Sequence, residues 1–335
     1  MLAALVLSAA VPSGTLVVLN KAEATASLID LASGAVAATV KTGQGPHEVD
    51  VSPDGRLALA ANYGTAEAPG STLTLIDVPA GRVVKTIFMG QYERPHGIRW
   101  LRDGIQAVVT SEVKKTLVLI DVKGGAAGIP MATGREVSHM VATRADSLRA
   151  FVSSIGSGTV TAIDIAERKA IGTVETGKGA EGIDVTPDSR EVWVTNREAD
   201  TVSVVDAQSL KVQATMPAKS FPIRVKVTPD GKHAIVSCAR SSEVVVFDVA
   251  GRKELRRIPI KLVPGDKQGR MFQQWGDSSA PIGIVIRPDG KQAYVANANA
   301  DAIAVVDLEA WKVTGTLKAG KEPDGMAFSP LTVQK

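Results

Sequence analysis

The chain has 335 residues, with 38 Lys and Arg against 35 Asp and Glu, and a net charge of +3. Its basic residues are scattered rather than clustered, so nucleic acid is not a favoured partner. One cysteine, Cys238, rules out an internal disulfide, and it reads as a small buried hydrophobe rather than a reactive thiol.

Residues 2–11 form an apolar run, Leu-Ala-Ala-Leu-Val-Leu-Ser-Ala-Ala-Val, far too short to span a membrane. The run is similar to the hydrophobic part of a secretory signal, and Ser8 and Ala10 suit the small-residue cleavage rule. Residues 1–13 are therefore read as signal-like, and the protein as exported, to the periplasm or outside the cell. No basic residue precedes the run, which leaves an upstream start or an ordinary buried strand as alternatives. No transmembrane segment is expected.

Strands follow at 15–20, 25–30 and 36–40. The next unit supplies four, at 48–52, 56–61, 72–77 and 83–87, which define strands A to D of one repeat. An apolar pair followed by aspartate closes every strand C, at Asp30, Asp77, Asp121, Asp164, Asp206, Asp248 and Asp307. These are 47, 44, 43, 42, 42 and 59 residues apart. A period of roughly 40–45 residues built of short strands marks a β-propeller blade. Turns such as Ser52-Pro53-Asp54-Gly55 and Thr228-Pro229-Asp230-Gly231 join A to B, with proline presetting φ and glycine accepting a positive φ. The chain ends on a lone strand A at 325–329.

The expected fold is all-β: a seven-bladed β-propeller of four-stranded antiparallel blades over 14–335, a monomer. N-terminal strands B to D and C-terminal strand A share one blade and close the ring without free edges. The seven aspartates recur in every blade, so they read as turn caps and not as a metal or catalytic ring. The last step is 17 residues longer than its predecessor, which places an insertion at about 259–280, in a D-to-A loop.

The strand-B segments Glu191-Val192-Trp193-Val194-Thr195-Asn196 and Gln292-Ala293-Tyr294-Val295-Ala296-Asn297 carry a further pattern. With the Ser-Pro-Asp-Gly turn and the Ile-Asp segments, it resembles the YVTN family of β-propeller repeats across about the whole chain. Thr110-Ser111-Glu112 and Ser153-Ser154-Ile155 depart from the asparagine ending, and Arg144-Ala145-Asp146-Ser147 lacks the proline. Related groups include surface proteins, haem-d1-type, lactonase-type and streptogramin-lyase-type propellers. Nitrous oxide reductase is similar in carrying a copper cluster inside a seven-bladed ring. The resemblance implies export and no particular reaction.

Function is sought where equivalent positions stop being equivalent. The D-to-A and B-to-C loops share the face that bears the channel mouth. Just before strand A, the equivalent residues are His47, His96, His139, Glu181, Ile223, Ile282 and Asp324. Three of the four histidines thus share one repeat position in consecutive blades. His47, His96, His139 and Glu181 form a candidate set for zinc or copper. The alternative is that each histidine bonds a neighbouring blade and binds nothing. The fourth, His233, is expected to be solvent-exposed on the opposite face.

After strand B, Lys21, Tyr63, Glu112 and Arg197 are departures that could orient a polar or anionic ligand, or else form an ordinary solvated rim. The recurrent asparagine at this strand end is expected to satisfy backbone. The insertion carries Phe272 and Trp275, which suits either a lid over the mouth or packing onto the blade. The expected function is binding of a small ligand or transition metal at the mouth, in support of hydrolysis or elimination. The alternative is a non-enzymatic scaffold for a partner protein. A haem would be noncovalent, because no Cys-x-x-Cys-His motif exists.

Overall fold

The computed structural model describes residues 13–266 and 268–334. The signal-like segment therefore lies outside the described residues but for Ser13. The described residues form 28 β-strands and two 3-10 turns. Among the described residues, no helix is long and apolar enough to cross a membrane.

Blade 1 is Pro46–Val51, Leu57–Gly64, Pro69–Asp77 and Arg82–Phe88, paired antiparallel in that order. Its second and third strands are apolar on both faces, because a blade is packed between two others; Leu59, Ala61, Leu73 and Leu75 are all buried. The outermost strand alternates, with Ile87 buried and its neighbours Thr86 and Phe88 turned outward. Five further blades begin at Pro95, Ser138, Ala180, Pro222 and Pro281. The outer edges of blades 1 and 2 also touch through one parallel backbone bridge, Phe88 to Ala126.

The seventh blade joins the two ends of the chain. Pro323–Ser329 pairs with Thr15–Asn20, with Thr15 opposite Ser329 and Val18 opposite Met326. Thr25–Asp30 and Ala35–Lys41 complete that sheet. The ring is thus closed by main-chain hydrogen bonds, as the out-of-phase ends implied.

Seven hydrophobic clusters fill the seven gaps between blades. Trp193 and Phe247, for example, meet between blades 4 and 5 with ring centroids 6.2 Å apart. Each such side chain, fully buried, stabilises by about 1.5–3 kcal/mol.

All seven strand-C aspartates accept backbone N–H groups of the turn that follows, at 2.7–3.3 Å. Their role as caps holds in every blade. In the A-to-B turns, Ser147 and Ser189 take the positive φ that glycine takes elsewhere, at 59° and 61°. Their hydroxyls accept the N–H of Arg102 and Ala145 in the preceding blade, at 3.0 and 3.2 Å. That contact accounts for serine at these two turns.

Cys238 is fully buried, and burial pushes its thiol up to about 12. His233 is half-buried rather than exposed, because its ring packs edge-on against Trp311 at 4.9 Å.

Candidate functional site at the channel mouth

Two backbone devices, repeated in all seven blades, aim side chains at the mouth. Each inner strand is entered through a residue at positive φ: Gly45, Arg94, Val137, Gly179, Phe221, Ala280 and Glu322, between 51° and 74°. The carbonyl of that residue accepts the N–H of the residue after strand B. Tyr63 binds Gly45, Glu112 binds Arg94, Arg197 binds Gly179 and Lys21 binds Glu322, at 3.0–3.3 Å. A β-bulge follows immediately. In blade 1, Pro46 faces Asn62 but Val49 faces Ala60, so His47 and Glu48 share one place in the ladder. The same slip recurs in the other six blades. Bulges re-aim side chains, and the first device fixes the B-to-C residue beside the D-to-A residue. This is why the inner strand begins at Pro46, two residues before the expected start.

The three histidines converge. Their rings lie 5.0 Å apart for His47 and His96 and 3.6 Å apart for His96 and His139. All are nearly buried, at 6%, 2% and 8% exposure. Burial holds His47 and His96 well below the usual imidazole range, so both are neutral. His47 directs Nδ1 to the Gly45 carbonyl at 2.7 Å, and Nδ1 of His96 is buried without a partner.

His139 differs. Its Nδ1 meets Glu112 at 2.5 Å and its Nε2 meets Glu181 at 3.3 Å. Burial opposes its charge, but the two carboxylates outweigh it and raise its pKa. Glu112 also accepts the hydroxyl of Tyr63 at 2.6 Å. Burial and that carboxylate raise the phenol further, so Tyr63 keeps its proton. Glu181 is shared by His139, Arg197 at 2.6 Å and Arg224 at 2.8 Å. Burial pushes Glu181 up, yet these cations hold it well below the usual carboxylate range.

The residues at the next repeat position are Glu48, Gly97, Met140, Gly182, Arg224, Gly283 and Gly325. Glycine is required where the next inner strand presses in. A Cβ on Gly283 would lie 2.1 Å from the Asp324 carbonyl oxygen, and one on Gly325 2.2 Å from that of His47. Glu48, Met140 and Arg224 are flanked by these glycines and reach the channel. Arg224 donates Nε and Nη2 to Glu48 at 3.0 and 2.6 Å. With Glu181 this makes a buried ion-pair triad, and Arg224 lines two cavities, one on each side. The mouth cavity measures about 300 Å³ and the chamber opening towards the A-to-B turns about 390 Å³. Arg224 and Glu48 escaped the sequence reading, although their repeat position, read one step past the histidines, alternates glycine with large residues.

The mouth cavity brings together most of the expected residues. His47, Tyr63, His96, Glu112, His139, Glu181, Arg197 and Asp324 all line it. Lys21 borders a smaller recess beside it with Asp324 and Phe272, and its pKa is lowered by burial. Asp324 is 4% exposed with Oδ1 unpartnered, and burial pushes it up to about 6. Trp275 does not line the cavity; it stands behind Phe272, stacked at 4.2 Å. Met271 and Phe272 of the insertion do line it, opposite the histidines and beside Ile223 and Ile282. Phe272 also sits in an apolar cluster with Ile223, Ile282 and Ala298, so the insertion packs onto the blades where it lines the cavity.

The clustered donors differ from the expected set of His47, His96, His139 and Glu181. His96 and His139 are joined by Glu112 of the B-to-C loop, with donor atoms within 4.8 Å of one another. Glu181 faces the far nitrogen of His139 and two arginines, and His47 flanks the trio. The recurrent asparagines are buried and mainly bind hydroxyls of strand C, as Asn62 does with Thr72 and Thr74 at 3.0 Å each.

Comparison with curated proteins gave no match in sequence. Residues 107–269 match the family model described as YNCE-like β-propeller. Among solved structures, a chain of hydrazine synthase from Kuenenia stuttgartiensis superposes with a TM-score of 0.72 and 17% identity, over 85% of this chain and 90% of that one. In all, 1688 solved chains match, so likeness of shape discriminates no activity and shows the fold alone. The chain is thus a seven-bladed β-propeller whose residues 107–269 match the YNCE-like β-propellers, in keeping with the YVTN-type repeat.

Proposed function

We propose that the channel mouth is a transition-metal and small-ligand site, with zinc or copper held by His96, Glu112 and His139. The observation that carries this reading is the buried clustering of these donors within 4.8 Å, beside a cavity of about 300 Å³. Two imidazoles and a carboxylate are a common set for an open metal site, with a fourth position left for water or substrate. Nδ1 of His96, buried and unpartnered, suits a ligand atom awaiting its ion. Glu181 on Nε2 of His139 is the kind of carboxylate that orients a metal-bound imidazole. Such an ion would supply Lewis acidity, which favours hydrolysis or elimination over redox-free binding alone. Neutral His47, adjacent to His96, is placed to accept a proton, whereas Tyr63 can only donate one. The apolar run at 2–11 supports export, checked by sequencing the N-terminus of the protein recovered from its native host.

The test is metal content by mass spectrometry, before and after zinc or copper loading. About one ion per chain is expected in the wild type. It should be lost in His96→Ala, Glu112→Ala and His139→Ala and kept in His47→Ala. No metal in the loaded wild type would remove the metal from the reading and turn the search towards a partner protein on the same face.

A further inference from the structure

The mouth cavity has two unlike walls. The apolar wall is flat and held in place. Phe272 stacks on Trp275 with centroids 4.2 Å apart and planes 12° apart, and Trp275 packs on Phe221 at 4.7 Å. Asn299 Nδ2 donates to the Phe272 carbonyl at 3.2 Å. The neighbouring Arg270 forks onto Asp301 at 2.6 and 2.7 Å. A ring so fixed is a preorganised face for a flat partner.

The polar wall contains a buried acceptor that lacks a donor, Asp324 Oδ1, and the imidazole of His47. His47 directs its Nδ1 hydrogen to the Gly45 carbonyl at 2.7 Å, so in a ring with one hydrogen Nε2 is the acceptor nitrogen. Asp324, at the equivalent position of the adjacent blade, is buried with Oδ1 unpartnered. Both residues line the cavity that Phe272 lines. A buried acceptor without a donor is costly, so a molecule that brings an N–H or O–H gains by entering. Two cations, Arg224 and Lys21, and two carboxylates, Glu48 and Glu181, act on Asp324, so their charges offset and a neutral donor suffices.

We infer that the mouth cavity takes a small, neutral, planar molecule that lies on Phe272 and donates an N–H or O–H to the His47–Asp324 acceptor pair. This names the ligand class for the site proposed above and rests on its being a ligand site, but not on the metal. The acceptor pair belongs to blades 7 and 1, and the metal donors are His96, Glu112 and His139.

The experiment compares indole with indene, which has the same shape but no N–H, by calorimetry on protein stripped with chelator. Indole is expected to bind at least about tenfold more tightly than indene. Asp324→Ala should narrow that gap by weakening indole alone. Phe272→Leu, which keeps an apolar side chain, should weaken both, with unchanged melting showing that the fold is kept. Absence of indole binding, equal binding of indene, or indifference to both substitutions would overturn the inference. Zinc uptake is measured on the same preparation, so failure of the metal reading and failure of this one are told apart.

Discussion

His96 and His139 occupy one repeat position in adjacent blades, yet they are chemically unlike. His96 is surrounded by other rings and burial lowers its pKa, whereas His139 is clamped by Glu112 and Glu181, whose carboxylates raise its pKa. The difference arises from neighbours one blade away, which a position-by-position alignment does not display. Asp324 is the other residue set apart by its surroundings. Burial raises its pKa from 3.8 to about 6, against the pull of Arg224 and Lys21. A carboxyl with a raised folded-state pKa binds protons more tightly when folded, so stability falls as pH rises through that interval. The cost is absent below the unfolded pKa and complete above the folded one. Asp324→Asn is therefore expected to be more stable than wild type at pH 8, by on the order of 2–3 kcal/mol, with the gap vanishing near pH 4. Chemical denaturation at the two pH values checks it, and a variant less stable at pH 8 would contradict it.

At the scale of elements, the site is made by a repeated loop design rather than by any one loop. The seven turns at positive φ and the seven bulges place a D-to-A residue and a B-to-C residue side by side in every blade. Repeat alignment of His47, His96, His139, Glu181 and Asp324 was enough to find one ring of the site, and Tyr63, Glu112 and Arg197 the other. The left-handed residues were not legible, since Arg94, Val137, Phe221, Ala280 and Glu322 are poor signals for a positive φ. Nor was the partition of roles. Glu181 read as a ligand until Arg224 appeared beside it, and Arg224 lies in a strand that otherwise reads as ordinary core. The insertion is an element of its own, tied by Arg270 to Asp301 and by the Met271 N–H to Glu322 at 2.8 Å. Its apolar cluster is separate from the seven between blades. Replacing 268–277 by a short glycine–serine linker should abolish indole binding and lower the melting temperature by only a few degrees. A collapsed fold would show that the insertion supports the ring.

The whole molecule was the most legible level. Seven capped strands, with three strands of a blade at the start of the chain and the fourth at its end, specify a ring closed by its own termini, because a lone blade cannot cover both of its apolar faces. Hydrogen bonds at the end of the last strand and just past it reinforce the closure, with Ser329 donating to Gly55 at 2.6 Å and Thr15 donating to Leu331 at 2.7 Å. Truncation after Lys318 removes the innermost strand of blade 7. It also exposes the edge of Thr15–Asn20 and opens the clusters on both sides. Loss of the cooperative melt is expected in calorimetry, and an unchanged melt would place the closure elsewhere. The ring matters to the site because it holds blades 7 and 1 to 4 around one mouth, so that side chains far apart in sequence share one cavity. The most direct test of that arrangement is a crystal structure of zinc-loaded protein with anomalous data at the zinc edge. One peak is expected within about 2.0–2.2 Å of donor atoms of His96, Glu112 and His139. A peak only at His233 on the opposite face, or none at the mouth, would contradict it.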